Sequence, residues 1–299
     1  MFRRLIAALL IAPAAALAAT GDELPAYLLQ IPASVPAVFV AETDRSALHR
    51  IANGPDGPVY VDRRYMSIGE NGVGKRRAWD RRTPLGIYFV NERLDTHRLA
   101  KRYGPLAFPL DYPNVWDRLH DRRGEGIWIH GGTEGGDRRP PQDTDGCIAL
   151  ENNELLALSD ELIPDVTPVI VTQNIRWGTA AGIGAERDRL AAALEEWAQS
   201  IRSGDLYRYL SLYAEGFRYR GMNRDEWMRY RLDTLGARTV VGLKLDDVLL
   251  LQDPRDKSLY LARFRQTLID DKGPVVAIKR LYWRRGNGGV LRIVAEDNG

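Results

Sequence analysis

One cysteine, Cys147, and four histidines, His49, His97, His120 and His130, are all the thiol and imidazole ligands this 299-residue chain offers a metal. No CxxC pair and no HExxH run occurs, so zinc chemistry has no ligand set, and a lone thiol excludes an intramolecular disulfide. Cofactor fingerprints are missing too: there is no P-loop and no glycine-rich dinucleotide turn, and no cofactor is expected. Charge of one sign is equally scarce. The 42 Lys and Arg residues are interleaved with 40 Asp and Glu for a net charge of +2, which leaves no reason to expect a phosphate-tracking surface or nucleic acid as partner. Long apolar runs are absent apart from one at the N-terminus.

That run, Leu5 to Leu17, follows Met1-Phe2-Arg3-Arg4 and ends in Ala16-Leu17-Ala18. A charged start, a short apolar stretch and an A-x-A site together describe a secretory signal peptide over residues 1–18, cleaved after Ala18. The stretch is too short for a comfortable membrane span, and the polar Thr20, Gly21, Asp22 and Glu23 follow at once. The expectation is an exported, periplasmic protein with no membrane span after cleavage; an uncleaved N-terminal anchor is the alternative. In an oxidising compartment an unpaired Cys147 reads either as an inert buried residue or as a reactive thiol.

The length points to two domains. From about residue 35 to 172 short β-prone runs follow one another: Pro36–Ala41, Pro58–Asp62, Tyr65–Ile68, Thr83–Val90, Gly126–His130, Gly146–Leu150 and Pro168–Val171, with one helical stretch from Asn152 to Leu162. A polar loop is predicted from Asn91 to Arg102. Residues 173–186 include the small, flexible composition Gly178-Thr-Ala-Ala-Gly-Ile-Gly184 and read as a linker. Beyond it Leu190, Leu194, Trp197 and Ile201 recur at helical spacing, Ser203-Gly204-Asp205 breaks the run, and Leu206 to Tyr213 continues on a second helix. Asn223 can cap a third helix, and four β-prone segments complete residues 187–299. The fold class is therefore α+β: a β-rich domain followed by a smaller α+β domain of sheet wrapped around helices.

Chemistry concentrates at two residues. His130 ends an apolar strand and is followed by Gly131-Gly132, where a side chain can project while the backbone turns away. Cys147 comes seventeen residues later, directly behind Asp145-Gly146. A neighbouring histidine is the usual agent that depresses a thiol pKa and makes a nucleophile. Gly146 permits a tight turn and leaves the N–H groups of Gly146 and Cys147 unhindered for an oxyanion hole. Spacing alone leaves an unrelated core cysteine and loop histidine as an equal reading.

The stretches Ile127-Trp-Ile-His130-Gly131 and Thr144-Asp145-Gly146-Cys147-Ile148-Ala149-Leu150 resemble the active-site signature of the L,D-transpeptidase (YkuD-type) family. Gly74-Lys75, Arg82-Thr83-Pro84-Leu85-Gly86 and Tyr112-Pro113-Asn114 with Asp117 resemble its other motifs, and the likeness spans about residues 37 to 172. The resemblance implies that His130, oriented by the Gly131 carbonyl, takes the thiol proton. Cys147 would then attack the diaminopimelate carbonyl of a peptidoglycan stem peptide, expelling D-alanine and leaving a thioester. Thr144, Asp145, Gly146, Tyr112, Asn114 and Thr83 would line the substrate or oxyanion site. Two departures bear on what resolves the thioester: Asp145 stands where His or Asn is usual, and Ala149 where the family has Arg. The opening of the second domain, Leu194-Glu-Glu-Trp197 with Gly204-Asp205 and Tyr209-Leu-Ser-Leu-Tyr213, resembles nuclear transport factor 2-like (NTF2-like) domains, cone-shaped folds also found behind the catalytic unit of cell-shape L,D-carboxypeptidases. That pairing and the two departures favour trimming of tetrapeptide to tripeptide by water, whereas the family as a whole implies transfer to the amine of a second stem; a non-catalytic wall-binding protein that keeps the fold is the remaining alternative. Trp197, Tyr209, Tyr213, Phe217, Tyr219 and Trp227 are of a kind that lines a pocket for a glycan or other wall ligand, and more often of a kind that packs as core.

Overall fold

The computed structural model describes residues 23–96, 100–133, 135, 138–236 and 240–298, so the expected signal peptide lies outside the described residues. It opens with two short strands, β1 (Glu23–Pro25) and β2 (Leu28–Gln30). The β-rich unit follows with β3 (Ala37–Glu42), β4 (Ala47–Gly54), β5 (Gly57–Tyr65), β6 (Ile68–Gly69), β7 (Gly86–Phe89), β8 (Leu94–Asp95) and β9 (Leu106–Pro109). Then come helix α1 (Val115–Leu119), β10 (Trp128–His130), β11 (Gln142–Thr144), β12 (Ile148–Ala149), α2 (Asn152–Leu158) and β13 (Pro168–Thr172). Strands β5-β4-β3-β13-β7 form one sheet and β12-β10-β9-β8 a second. Both β3 and β13 are buried along their whole length, which is why Ala37–Ala41 and Pro168–Val171 read as apolar runs rather than alternating ones, each strand ending in a buried polar residue, Glu42 or Thr172. Phe39, Leu48, Tyr88, Phe108, Ile129, Ile148 and Val171 share one apolar core.

Strand β14 (Trp177–Thr179) leads into α3 (Ala180–Arg202), α4 (Leu206–Ser211), the hairpin β15 (Arg218–Tyr219) and β16 (Met222–Asn223), and α5 (Arg224–Gly236). Long antiparallel strands β17 (Val240–Gln252), β18 (Leu259–Asp270), β19 (Gly273–Arg285) and β20 (Leu291–Asn298) complete the chain, with the helices packed on the sheet they form. The protein is thus α+β and rich in strand, as its pattern predicts.

Two local readings change and one strand is added. Residues 173–186 are not an unstructured linker. β14 pairs with β1, and α3 starts at Ala180 because Thr179 accepts from the Gly182 N–H at 3.3 Å and caps an alanine-rich first turn. Ala47–Gly54, outside the runs named from the sequence, is also a strand, whose polar side chains find partners: His49 meets Glu42 at 3.1 Å and Arg50 meets Glu161 at 2.7 Å. The loop predicted for 91–102 includes β8. Among the described residues no helix is long and apolar enough to cross a membrane.

The two units are not beads on a string. β2 joins the C-terminal sheet beside β17, giving the order β2-β17-β18-β19-β20. One apolar cluster holds Val38, Phe89 and Trp116 from the first unit together with Leu249, Leu261 and Tyr282 from the second. Trp116 stacks on Tyr282 at 5.9 Å, and Arg280 hydrogen bonds Asp111 across the same seam. Burial of this kind stabilises by about 25 cal/mol per Å² of apolar surface and holds the second unit firmly against the first.

Candidate active site

The register of β10 with β12 places the two motif residues on one cleft, each hydrogen bonded to a backbone carbonyl rather than to the other. The strands run parallel, with Ile129 beside Ile148 and His130 beside Ala149. Side chains alternate along a strand, so Ile129 and Ile148 point into the core, while Trp128, His130 and Cys147 turn to the opposite side. Cys147 is therefore a diagonal neighbour of His130. Both line a cleft of about 410 Å³, together with Trp128, Tyr103, Arg102 and Asp145. A larger hollow of about 580 Å³ lies beyond Arg139 and Asp143, which border both spaces, and it touches neither Cys147 nor His130.

His130 is 4% exposed, and its Nδ1 lies 2.6 Å from the Gly131 carbonyl oxygen. With Nδ1–H donating there, Nε2 carries the free lone pair. Burial pushes the imidazole down to about 4, Arg139 and Arg102 adding to that while the Gly131 carbonyl opposes it. The Tyr103 ring meets the imidazole edge-on at 5.1 Å.

The thiol is not the acidic group the sequence leads one to expect. Cys147 is 7% exposed and donates to the Gly126 carbonyl at 3.4 Å. Burial pushes it up to about 11, against the pull of the Trp128 N–H, Lys75 and Arg102, with the Asp145 charge reinforcing the rise. The reason is electrostatic: an imidazole whose partner is a neutral carbonyl stays uncharged, and a neutral ring supplies no cation to stabilise a thiolate. At neutral pH the resting pair is thiol and imidazole.

The cysteine turn is held by hydroxyls. Thr144 Oγ1 donates to the Cys147 carbonyl at 2.8 Å and accepts from the Gly146 N–H at 3.1 Å. The Gly146 N–H is thus already engaged, which removes it from the predicted oxyanion pair and leaves the Cys147 N–H. Gly146 has φ +123°, and a Cβ there would sit 2.7 Å from the Arg82 carbonyl oxygen, so both conformation and space demand glycine. Thr83 donates to the Gly146 carbonyl at 3.0 Å and accepts from the Gly69 N–H at 2.9 Å.

Three residues expected to line the substrate site belong to the scaffold instead. Thr83 is fully buried under the cysteine turn. Tyr112 is buried, donating to the Arg123 carbonyl at 3.1 Å. Asn114 caps α1 in a reciprocal box with Asp117 and donates to the Ile87 carbonyl at 3.0 Å. Asp145 does border the cleft, more than half exposed, with Arg81 at 3.6 Å and Arg102 at 3.7 Å. Sequence reasoning passed over Arg102, Arg139, Tyr103 and Trp79, which also border it. Arginines in a loop carry no periodic signal, and only the missing Arg at Ala149 hinted that a guanidinium had to come from elsewhere.

In the second domain Trp197, Tyr209, Tyr213, Phe217 and Trp227 are at most 1% exposed and pack on one another, so the aromatic set is a core. Tyr219 packs against the same cluster, partly buried.

A strand-rich unit with a buried thiol and imidazole on one cleft, backed by a helix-and-sheet unit, defines a two-domain α+β protein with a candidate cysteine nucleophile. Residues 40–171 match the L,D-transpeptidase catalytic domain (YkuD) and residues 189–297 the Cds6 C-terminal NTF2-like domain. The chain carries an L,D-transpeptidase catalytic domain followed by an NTF2-like domain. Its structure is similar to that of Bd1075 from Bdellovibrio bacteriovorus, with 25% identity and a TM-score of 0.77 over 93% of this chain and 98% of that one. It is similar also to the helical cell shape determining protein Pgp2 from Campylobacter jejuni, at 24% identity and a TM-score of 0.72 over 87% of this chain and 91% of that one. The likeness to Pgp2 is one of fold and spans both domains. No curated protein matches the chain.

Proposed function

We propose that this protein is an exported, periplasmic L,D-carboxypeptidase that removes the terminal D-alanine from tetrapeptide stems of peptidoglycan, with Cys147 as nucleophile and His130 as base. The observation that carries this reading is the Nδ1 contact to Gly131 at 2.6 Å, which leaves Nε2 as a free base in the cleft that also holds the thiol. Because the thiol rests protonated, attack and proton transfer belong to one step. Nε2 takes the sulfur's proton as Sγ bonds to the diaminopimelate carbonyl carbon, and the Cys147 N–H faces the developing oxyanion. Collapse breaks the C–N bond, and the imidazolium returns its proton to the departing D-alanine amine. Water, deprotonated by His130, then attacks the thioester and restores the thiol. Arg102 and Arg139 stand near enough to hold a substrate carboxylate in place of the arginine missing at Ala149.

Transfer to the amine of a second stem is the other outcome of the same thioester. The 580 Å³ hollow across Arg139 and Asp143 favours it, since an acceptor could sit there. Purified protein incubated with disaccharide-tetrapeptides and analysed by mass decides: tripeptide product with free D-alanine supports trimming, and any crosslinked dimer overturns it. Cys147→Ala should abolish product, and His130→Gln should lower the rate by roughly 10²–10⁴-fold. The rate should be level around neutrality and fall as pH drops through about 4, where His130 becomes protonated.

A further inference from the structure

Beside the cleft a tryptophan is held out in water. Trp79 is 91% exposed, it borders the space containing Cys147, and its φ of +63° is one that residues with a side chain seldom adopt. Exposing so large an apolar ring in a left-handed backbone is doubly unfavourable, and strain of that kind is kept where a ligand makes use of it. The segment carrying it is built to stay put. Asp80 accepts from Lys75 Nζ at 2.8 Å and from the backbone N–H groups of Arg76, Arg77 and Arg82 at 2.8, 3.1 and 3.1 Å. The Arg76 carbonyl in turn accepts from the Arg123 N–H at 2.8 Å.

The other aromatic rings around the two cavities are covered. Arg138 lies 3.6 Å over Tyr65, Arg102 lies 5.0 Å over Tyr103, and Trp128 rests against Tyr103 at 5.0 Å. Among the described residues no ring and no guanidinium stacks on Trp79. A bare indole face at the rim of a peptide-binding cleft suits a ligand with a flat, weakly polar C–H face.

We propose that Trp79 is a stacking platform for the amino-sugar ring of the glycan strand to which the stem is attached, so that the site prefers stems still joined to their sugar. The inference rests on the peptidoglycan reading above. Three stem residues separate that sugar from the bond cut, a reach of roughly 10 Å when extended. A stem peptide occupying the cleft of about 410 Å³ with its scissile bond at Cys147 would leave the pyranose toward the border, which Trp79 helps to line. The positive C–H face of the sugar then meets the negative π face of the ring.

The test compares disaccharide-tetrapeptide with the free tetrapeptide. Wild-type protein should show a KM roughly tenfold lower for the sugar-bearing substrate, the size of one good aromatic contact. Trp79→Ala should bring the two KM values together, and Trp79→Phe should keep most of the difference. An unchanged ratio in Trp79→Ala, or an equal loss on both substrates, overturns the platform. Calorimetric binding of the same two ligands to Cys147→Ala, with and without Trp79→Ala, asks the question without turnover. If wild-type protein releases no D-alanine while those affinities still differ through Trp79, the trimming reading fails and the platform stands.

Discussion

The two domains meet the same problem, an interior between a sheet and its cover, with opposite solutions. In the catalytic unit polar side chains hold backbone apart: the buried Thr83 and Thr144 fasten the cysteine turn, the buried Asn114 fastens α1 to β7, and the partly exposed Asp80 fastens the segment bearing Trp79. A cleft survives between these braces. In the second unit the interior is filled: Trp197 Nε1 donates to Tyr213 Oη at 3.1 Å, Tyr213 donates to Glu296 at 2.8 Å, and Tyr209 stacks on Trp227 at 6.0 Å. Small hydroxyls next to glycines mark a void kept open by backbone, whereas aromatics at helical spacing mark one that is closed. The first arrangement leaves atoms free for chemistry, and the second supplies a rigid support.

The sharpest way to break the contrast is Gly146→Ala. The new Cβ would press on the Arg82 carbonyl oxygen at 2.7 Å with φ at +123°, so a loss of about 3 kcal/mol and of all measurable turnover is expected. Gly72→Ala, also at positive φ but with nothing near its Cβ, should lose only about 1 kcal/mol and keep its activity. Equal unfolding midpoints for the two variants would show that the turn is not braced as described. A smaller effect is expected at the filled end. Glu296→Ala leaves Tyr213 and the Lys279 ammonium, 3.3 Å from the carboxylate, without their buried partner. Thermal unfolding should report about 3 kcal/mol of destabilisation, with kcat/KM unchanged at a temperature where the variant stays folded. A fall in kcat/KM without a fall in stability would mean that this interior takes part in the reaction.

What the sequence disclosed and what it hid divide along the same line. His130, Gly131 and Cys147 were readable because a strand followed by Gly-Gly and a turn ending in Gly-Cys are local patterns, and the α+β class followed from periodicity. The roles of Thr83, Tyr112 and Asn114 were not: Thr83 is fixed by its bond to the distant Gly146 carbonyl, Asn114 by the Ile87 carbonyl on another strand as well as by its local cap, and Tyr112 by burial against the Arg123 carbonyl, none of which a motif displays. Nor could a motif announce that β2 completes a sheet made by residues more than two hundred positions later. The thiol pKa was misjudged for a related reason: identity suggests a Cys–His pair, but burial and the neutral Gly131 carbonyl determine where its proton rests.

Asp145 offers the finest test, because it touches the open site without bracing it. Its carboxylate sits between Arg81 and Arg102 at 3.6 and 3.7 Å and more than half exposed, so as an ion pair it contributes at most about 1 kcal/mol. Its charge also raises the Cys147 thiol, and it competes with any substrate carboxylate for Arg102. Asp145→Asn removes both effects at once. Stability should change by less than about 0.5 kcal/mol, and alkylation of Cys147 by iodoacetamide at fixed pH should quicken about two- to threefold, following the thiolate fraction. The KM for the tetrapeptide should fall by a similar factor. Slower alkylation together with a higher KM would instead make Asp145 a residue that orients the substrate, and the cleft would then owe its carboxylate recognition to more than its arginines.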